Sequence, residues 1–180
     1  MPSSAATSAA ACSCADGPAP VLLWFAGLAW LLVWRVFRSP SVDYRLVVLG
    51  ACLPSLDLLI GRPSPLHTVT AAVVVLALVM VVARGRRLAQ RQLLSIPIGM
   101  FAHLVLDTTW ADTELFWWPV SGAALGTLEV PEVSWPFALV LVLELIGSVV
   151  LVGLWVRLGM TDRENRERFR RTGHLARDLA

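Results

Sequence analysis

Polar and apolar residues in this chain are segregated along its length. Five apolar runs, Val21 to about Phe37, Leu46 to Ile60, Leu66 to Ala83, Leu93 to Trp110 and Pro136 to Leu158, are separated by short blocks that hold most of the charge. Runs of this length and apolarity are the mark of helices that cross a bilayer. The pattern therefore predicts an all-α fold, a polytopic helical membrane bundle of about five spans. The second span is expected to be short and broken, because Pro54 lacks the amide hydrogen the helical ladder needs and Asp57 follows it. Gly61, Arg62, Pro63, Ser64 and Pro65 form a turn signal between the second and third runs.

The segments outside the runs divide the chain into three parts. Residues 1–20, rich in Ala, Ser and Pro, are expected to be disordered; 21–158 form the membrane domain; 159–180 are an arginine-rich tail, read as a solvated helix with His174 an ordinary surface residue. The loop from Ala111 to Trp135 carries Asp112, Glu114, Glu129 and Glu132 and no arginine. Its Phe116-Trp117-Trp118-Pro119 stretch suits the membrane–water interface.

Arginine placement orients this topology. With five spans, 14 of the 15 arginines fall on one side, and Arg62 alone on the other. The positive-inside rule then puts the N-terminus outside and the C-terminus in the cytoplasm. Asp57, His67, His103 and Asp107 all come to lie near the outer face. At ~1.5 Å per residue, His103 is only about 10 Å below Trp110, so the four share one shallow layer.

Composition agrees with a membrane chain. Of its 180 residues, 57% are hydrophobic and 16% charged, and the mean hydropathy is +0.69, whereas a soluble domain has roughly a quarter of its residues charged. The absence of lysine reflects genome composition rather than function, and a net charge of +2 gives no reason to expect a nucleic-acid partner. Cys12-x-Cys14 has no second pair to complete a zinc site, and Cys52 reads as a packing residue. There is no G-x-G-x-x-G, P-loop or G-x-S-x-G signature.

His103 and Asp107 stand four residues apart, so a helix projects both from one face with Cβ atoms roughly 6 Å apart. Asp57 and His67 flank the Gly61–Pro65 turn and can converge on the same point. Two imidazoles and two carboxylates suit a divalent transition metal, zinc first and manganese or iron next. Glu144, two turns into the fifth run, is a candidate general base or an acceptor that orients an imidazole. Each residue has a plainer reading. His103 and Asp107 can form a structural bridge, Asp57 can cap the turn, His67 can sit at the interface, and Glu144 can join helices by a hydrogen bond. Against these readings stands the cost of ionisable groups in hydrocarbon, roughly 2.5 to 3.5 kcal/mol for an acid at mid-span.

These residues carry a resemblance. Leu49-Gly50-Ala51-Cys52-Leu53-Pro54-Ser55-Leu56-Asp57, then Leu66-His67-Thr68, His103-Leu104-Val105-Leu106-Asp107 and Phe116-Trp117-Trp118-Pro119 resemble the bacterial family of LexA-binding, inner-membrane-associated metal-dependent hydrolases. The likeness covers residues from about 45 to 120. It implies a multi-pass protein of the bacterial plasma membrane with a metal held by Asp57, His67, His103 and Asp107. The chain departs from the family pattern at Ser55 (an acid in the family), Arg62 (a histidine) and Thr68 (a serine), which implies one metal or none if the family site holds two.

The function expected is metal-dependent hydrolysis near the outer leaflet, on a lipid, phosphate-ester or other amphiphilic substrate. The alternative is a non-enzymatic membrane protein with a structural metal or His/Asp cluster, its arginines contacting anionic lipid. An ion path through the broken span is a third reading, disfavoured because no repeat is visible and the polar residues occupy one half of the membrane only.

Overall fold

The computed structural model describes residues 21–39, 41–56, 65–122 and 135–175. The segment 1–20, the acids Asp57, Glu129 and Glu132, and Arg62 lie outside the described residues. The described residues are helical and include no strand. The helices described in full are, in order, α1 Leu22–Phe37, α2 Tyr44–Cys52, α3 Val69–Val82, α4 Arg87–Leu93, α5 Ser95–Leu106, α6 Thr113–Phe116, α7 Phe137–Arg157 and α8 Arg163–Thr172. Single 3-10 turns occupy Pro65–His67 and Thr109–Ala111.

Local chemistry sets the helix limits. Asp43 caps α2 by accepting the Arg45 amide (3.1 Å), and the helix ends at Cys52, two residues before Pro54. Thr68 caps α3 through the Ala71 amide (3.1 Å). α4 and α5 are nearly one helix, joined at Leu94. Pro97, in the first turn of α5, cannot donate to the carbonyl of Leu93. The N-terminus of α1 has no cap of its own; Glu144 of α7 accepts the Leu23 amide at 2.9 Å instead.

The helices meet backbone to backbone at paired glycines. A Cβ on Gly50 would lie 2.1 Å from the Ile96 carbonyl oxygen, and one on Gly99 would lie 2.1 Å from that of Val47. α2 and α5 are therefore in direct main-chain contact, and they run parallel in a constant register of 52 residues: Ser95 accepts the Asp43 amide at one end, and His103 bonds Ala51 at the other. α1 and α7 are also parallel. Gly27 in the N-terminal half of α1 touches Gly147 at the middle of α7, and Arg157 lies over the Trp34 ring (5.3 Å) near their C-terminal ends. α1 is antiparallel to α2 and α5, with Trp30 stacked on Tyr44 at 6.0 Å and the Phe25 ring tilted over His103 of α5 at 3.9 Å.

The described residues are all-helical, as expected, and among them only α7 is both long and apolar enough to cross a bilayer unaided. α1 and α3 are apolar but have 16 and 14 residues, about 24 and 21 Å of helix against a hydrocarbon core of ~30 Å. The tail, expected as a free solvated helix, is instead docked on the bundle. Phe169 stacks on Trp30 at 5.4 Å, and the Gly173 carbonyl accepts the Tyr44 amide at 3.1 Å. His174 is half-buried: its Nδ1 donates to the Val42 carbonyl (3.2 Å), and its Nε2 faces the Gln92 amide (3.5 Å). One aromatic ring and a glycine turn outweigh the charge of the surrounding arginines in deciding where α8 lies.

Candidate metal centre

The site forms where four chain segments end together. α5 delivers His103 in its last turn and Asp107 at its C-cap; the Asp107 amide still donates to the His103 carbonyl (2.8 Å), so the four-residue spacing keeps helical geometry. The 3-10 turn before α3 delivers His67, held by the Thr68 hydroxyl and amide, which both bond the Pro65 carbonyl (2.7 and 3.2 Å). α2 supplies the Ala51 carbonyl from its last turn, and α1 lays Phe25 over His103 from its first.

His67, His103 and Asp107 are fully buried, and one ligand atom from each lies within 4.8 Å of the other two. The two imidazoles meet edge to face, with ring centroids 5.3 Å apart. His103 Nδ1 stands 2.7 Å from the Ala51 carbonyl oxygen. A carbonyl can only accept, so Nδ1 carries the hydrogen, and in the neutral ring Nε2 carries the lone pair. Asp107 is anchored in turn: Thr109 Oγ donates to its Oδ2 at 2.5 Å. Both are the outer contacts that orient metal-binding side chains and fix their tautomer.

Two neutral imidazoles and one carboxylate fit a divalent transition cation by donor type. A divalent cation beside the carboxylate and two neutral imidazoles would leave the centre with one net positive charge. Three protein ligands are also the number that catalytic zinc sites use, leaving a position for water or substrate.

Of the expected ligands, three are thus brought together. Asp57, the fourth, lies outside the described residues. Glu144, expected as general base, is not in the cluster; its carboxylate is engaged at the start of α1. The sequence reading did not single out Phe25, Ala51 or Thr109. Ala51 acts through its backbone and has no side-chain signal to find. Thr109, two residues past Asp107, was within reach of local reasoning, since a hydroxyl at that offset can fold back on the carboxylate. Comparison of the chain with protein-family models, curated proteins and solved structures finds no match to any of them.

Proposed function

We propose that this protein is a multi-pass membrane protein whose His67–His103–Asp107 centre holds one divalent transition metal, zinc first, for hydrolysis of an amphiphilic substrate near the outer leaflet. The observation that carries the metal reading is the Ala51 carbonyl on His103 Nδ1, which makes Nε2 a lone-pair donor within 4.8 Å of the other two ligand atoms. When bound, the cation would supply Lewis acidity, acidifying water and polarising the scissile group. The chain's own part is to hold the His103 imidazole in one tautomer, anchor the carboxylate through Thr109, and keep bulk water out by full burial.

Several features support the membrane reading. Only 17% of the apolar stretch of α7 is buried, whereas the core helix of a soluble protein is mostly covered. Val73, Leu78, Val81, Leu145, Val149 and Val152 are apolar and exposed on α3 and α7, an outer surface that suits lipid. The parallel pairs α1–α7 and α2–α5, opposed to each other, are what spans one and five against two and four require. The centre lies at one end of this bundle, and Arg35, Arg45 and Arg157 lie towards the other, in keeping with an extracytoplasmic site. The family resemblance points to the same membrane and the same residues.

The test is turnover. Protein purified in detergent should hydrolyse at least one member of a panel of phospholipids and phosphate esters, lose the activity to a chelator, and regain it with zinc or manganese. Bound metal without turnover on the panel would instead favour a structural centre. That second reading has an observation of its own, the complete burial of all three ligands.

A further inference from the structure

The end of the bundle away from the centre is closed by α8, which crosses it. Near the start of α8, Asn165 donates to the Gly159 carbonyl (3.4 Å) just past α7; beyond its end, the Gly173 carbonyl accepts the Tyr44 amide (3.1 Å) at the start of α2. Phe169, between these contacts, stacks on Trp30 of α1. Two more contacts hold the last turn in place. Arg45 donates to the Arg170 carbonyl (2.6 Å), and His174 faces Gln92, the residue after Arg91 (3.5 Å).

The ion pairs leave charge at one end of α8 only. Arg163 pairs with Glu167 (3.1 Å) and Arg168 with Glu164 (3.3 Å), which commits both acids of the helix. Arg45 closes on the buried Asp43 (3.1 Å). Arg170 and Arg171, exposed in the last turn, make no ion pair among the described residues. The His174–Gln92 contact brings α4 alongside, with exposed Arg87 and Arg91 one turn apart and no acid in the helix. Neighbouring helices thus present arginines that no acid neutralises.

Apolar residues at the same end decide which anion such a surface meets. Leu88, between the two arginines of α4, is 80% exposed; Val81 and Val82 at the end of α3 and Phe37 at the end of α1 are exposed as well. Nucleic acid or an acidic protein would leave these aliphatic side chains in water. A bilayer covers them, because acyl chains give way to headgroups at the level where the arginines begin. Guanidinium groups bind phosphate through paired hydrogen bonds. We infer that Arg87, Arg91, Arg170 and Arg171 form one binding surface for the phosphate headgroups of anionic phospholipid, and that docking of α8 assembles it. This rests on the membrane part of the proposed function and is independent of the metal centre.

The experiment titrates full-length protein in a neutral detergent with phosphatidylglycerol and, separately, with phosphatidylcholine of the same chains. Bound lipid is counted by native mass spectrometry. Wild type is expected to bind phosphatidylglycerol about 10-fold more tightly, and Arg170→Gln with Arg171→Gln should remove most of that preference, since an arginine beside a headgroup contributes about 5-fold. Phe169→Ala should remove it too, although every arginine remains, because α8 then leaves the bundle. A wild type without preference would overturn the inference. So would a preference that survives in either variant; survival in Phe169→Ala would make charge alone responsible. A glutamate-rich peptide bound as tightly as phosphatidylglycerol would overturn it in favour of a protein partner. The membrane reading is checked separately, on the same protein in vesicles: release by an alkaline carbonate wash would remove that reading and this surface with it, whereas retention with no lipid preference would remove the surface alone.

Discussion

A neutral imidazole has one nitrogen that donates and one that accepts, and at His103 the Ala51 carbonyl decides which is which. Thr109 does the same for Asp107, tying down one carboxylate oxygen and so fixing where the other points. Thr109→Val keeps the shape of that side chain and deletes its donor. The variant should fold as wild type and bind zinc about 10- to 100-fold more weakly, the usual cost of losing an outer contact to a ligand, measured by competition with a chromophoric chelator. Unchanged zinc affinity would mean that the Thr109 bond is local turn chemistry only. At this scale the sequence was informative where the chemistry is carried by rare side chains. His67, His103 and Asp107 stood out because ionisable groups are scarce in apolar runs. Ala51 and Phe25 did not, because a backbone carbonyl and an aromatic ring in an apolar helix look like any other.

At the scale of helices, the site depends on α2 and α5 lying in backbone contact. Gly99 permits this, since any Cβ there would strike the Val47 carbonyl. Gly99→Ala should push the helices apart, lower stability by about 1 to 3 kcal/mol as overpacked positions do, and weaken zinc binding with it, because the Ala51–His103 bond spans the same interface. Gly153→Ala is the control: nothing lies within 4 Å of a Cβ built there, so stability in a detergent unfolding titration should hold or rise slightly. Equal behaviour of the two variants would contradict the register on which the site is built. The apolar runs gave helix positions closely. α7 begins and ends within one residue of the fifth run, and Pro54 does lie past the end of α2. Which helices touch was not legible, because pairing is set by single glycines whose partners are distant in sequence. The docking of α8 was hidden for the same reason, with Phe169 as the one apolar anchor in an otherwise charged helix.

For the whole molecule, among the described residues, one end of the bundle holds the buried polar centre and Arg35, Arg45 and Arg157 lie towards the other, so the proposed membrane orientation decides which compartment the centre would face. In a variant lacking Cys12, Cys14 and Cys52, a cysteine introduced by Val120→Cys sits on an exposed position of the Ala111–Trp135 loop. A membrane-impermeant maleimide should label it in intact spheroplasts. Labelling only after permeabilisation would reverse the orientation and move the centre to the cytoplasmic face. The three-ligand metal centre itself is tested most directly by counting metal. Wild-type protein purified in detergent without chelator should carry close to one transition-metal ion per chain by elemental analysis, and His103→Ala and Asp107→Asn should carry almost none while keeping wild-type helix content. A wild type free of metal even after incubation with zinc, manganese or iron, or variants that hold as much as wild type, would contradict it.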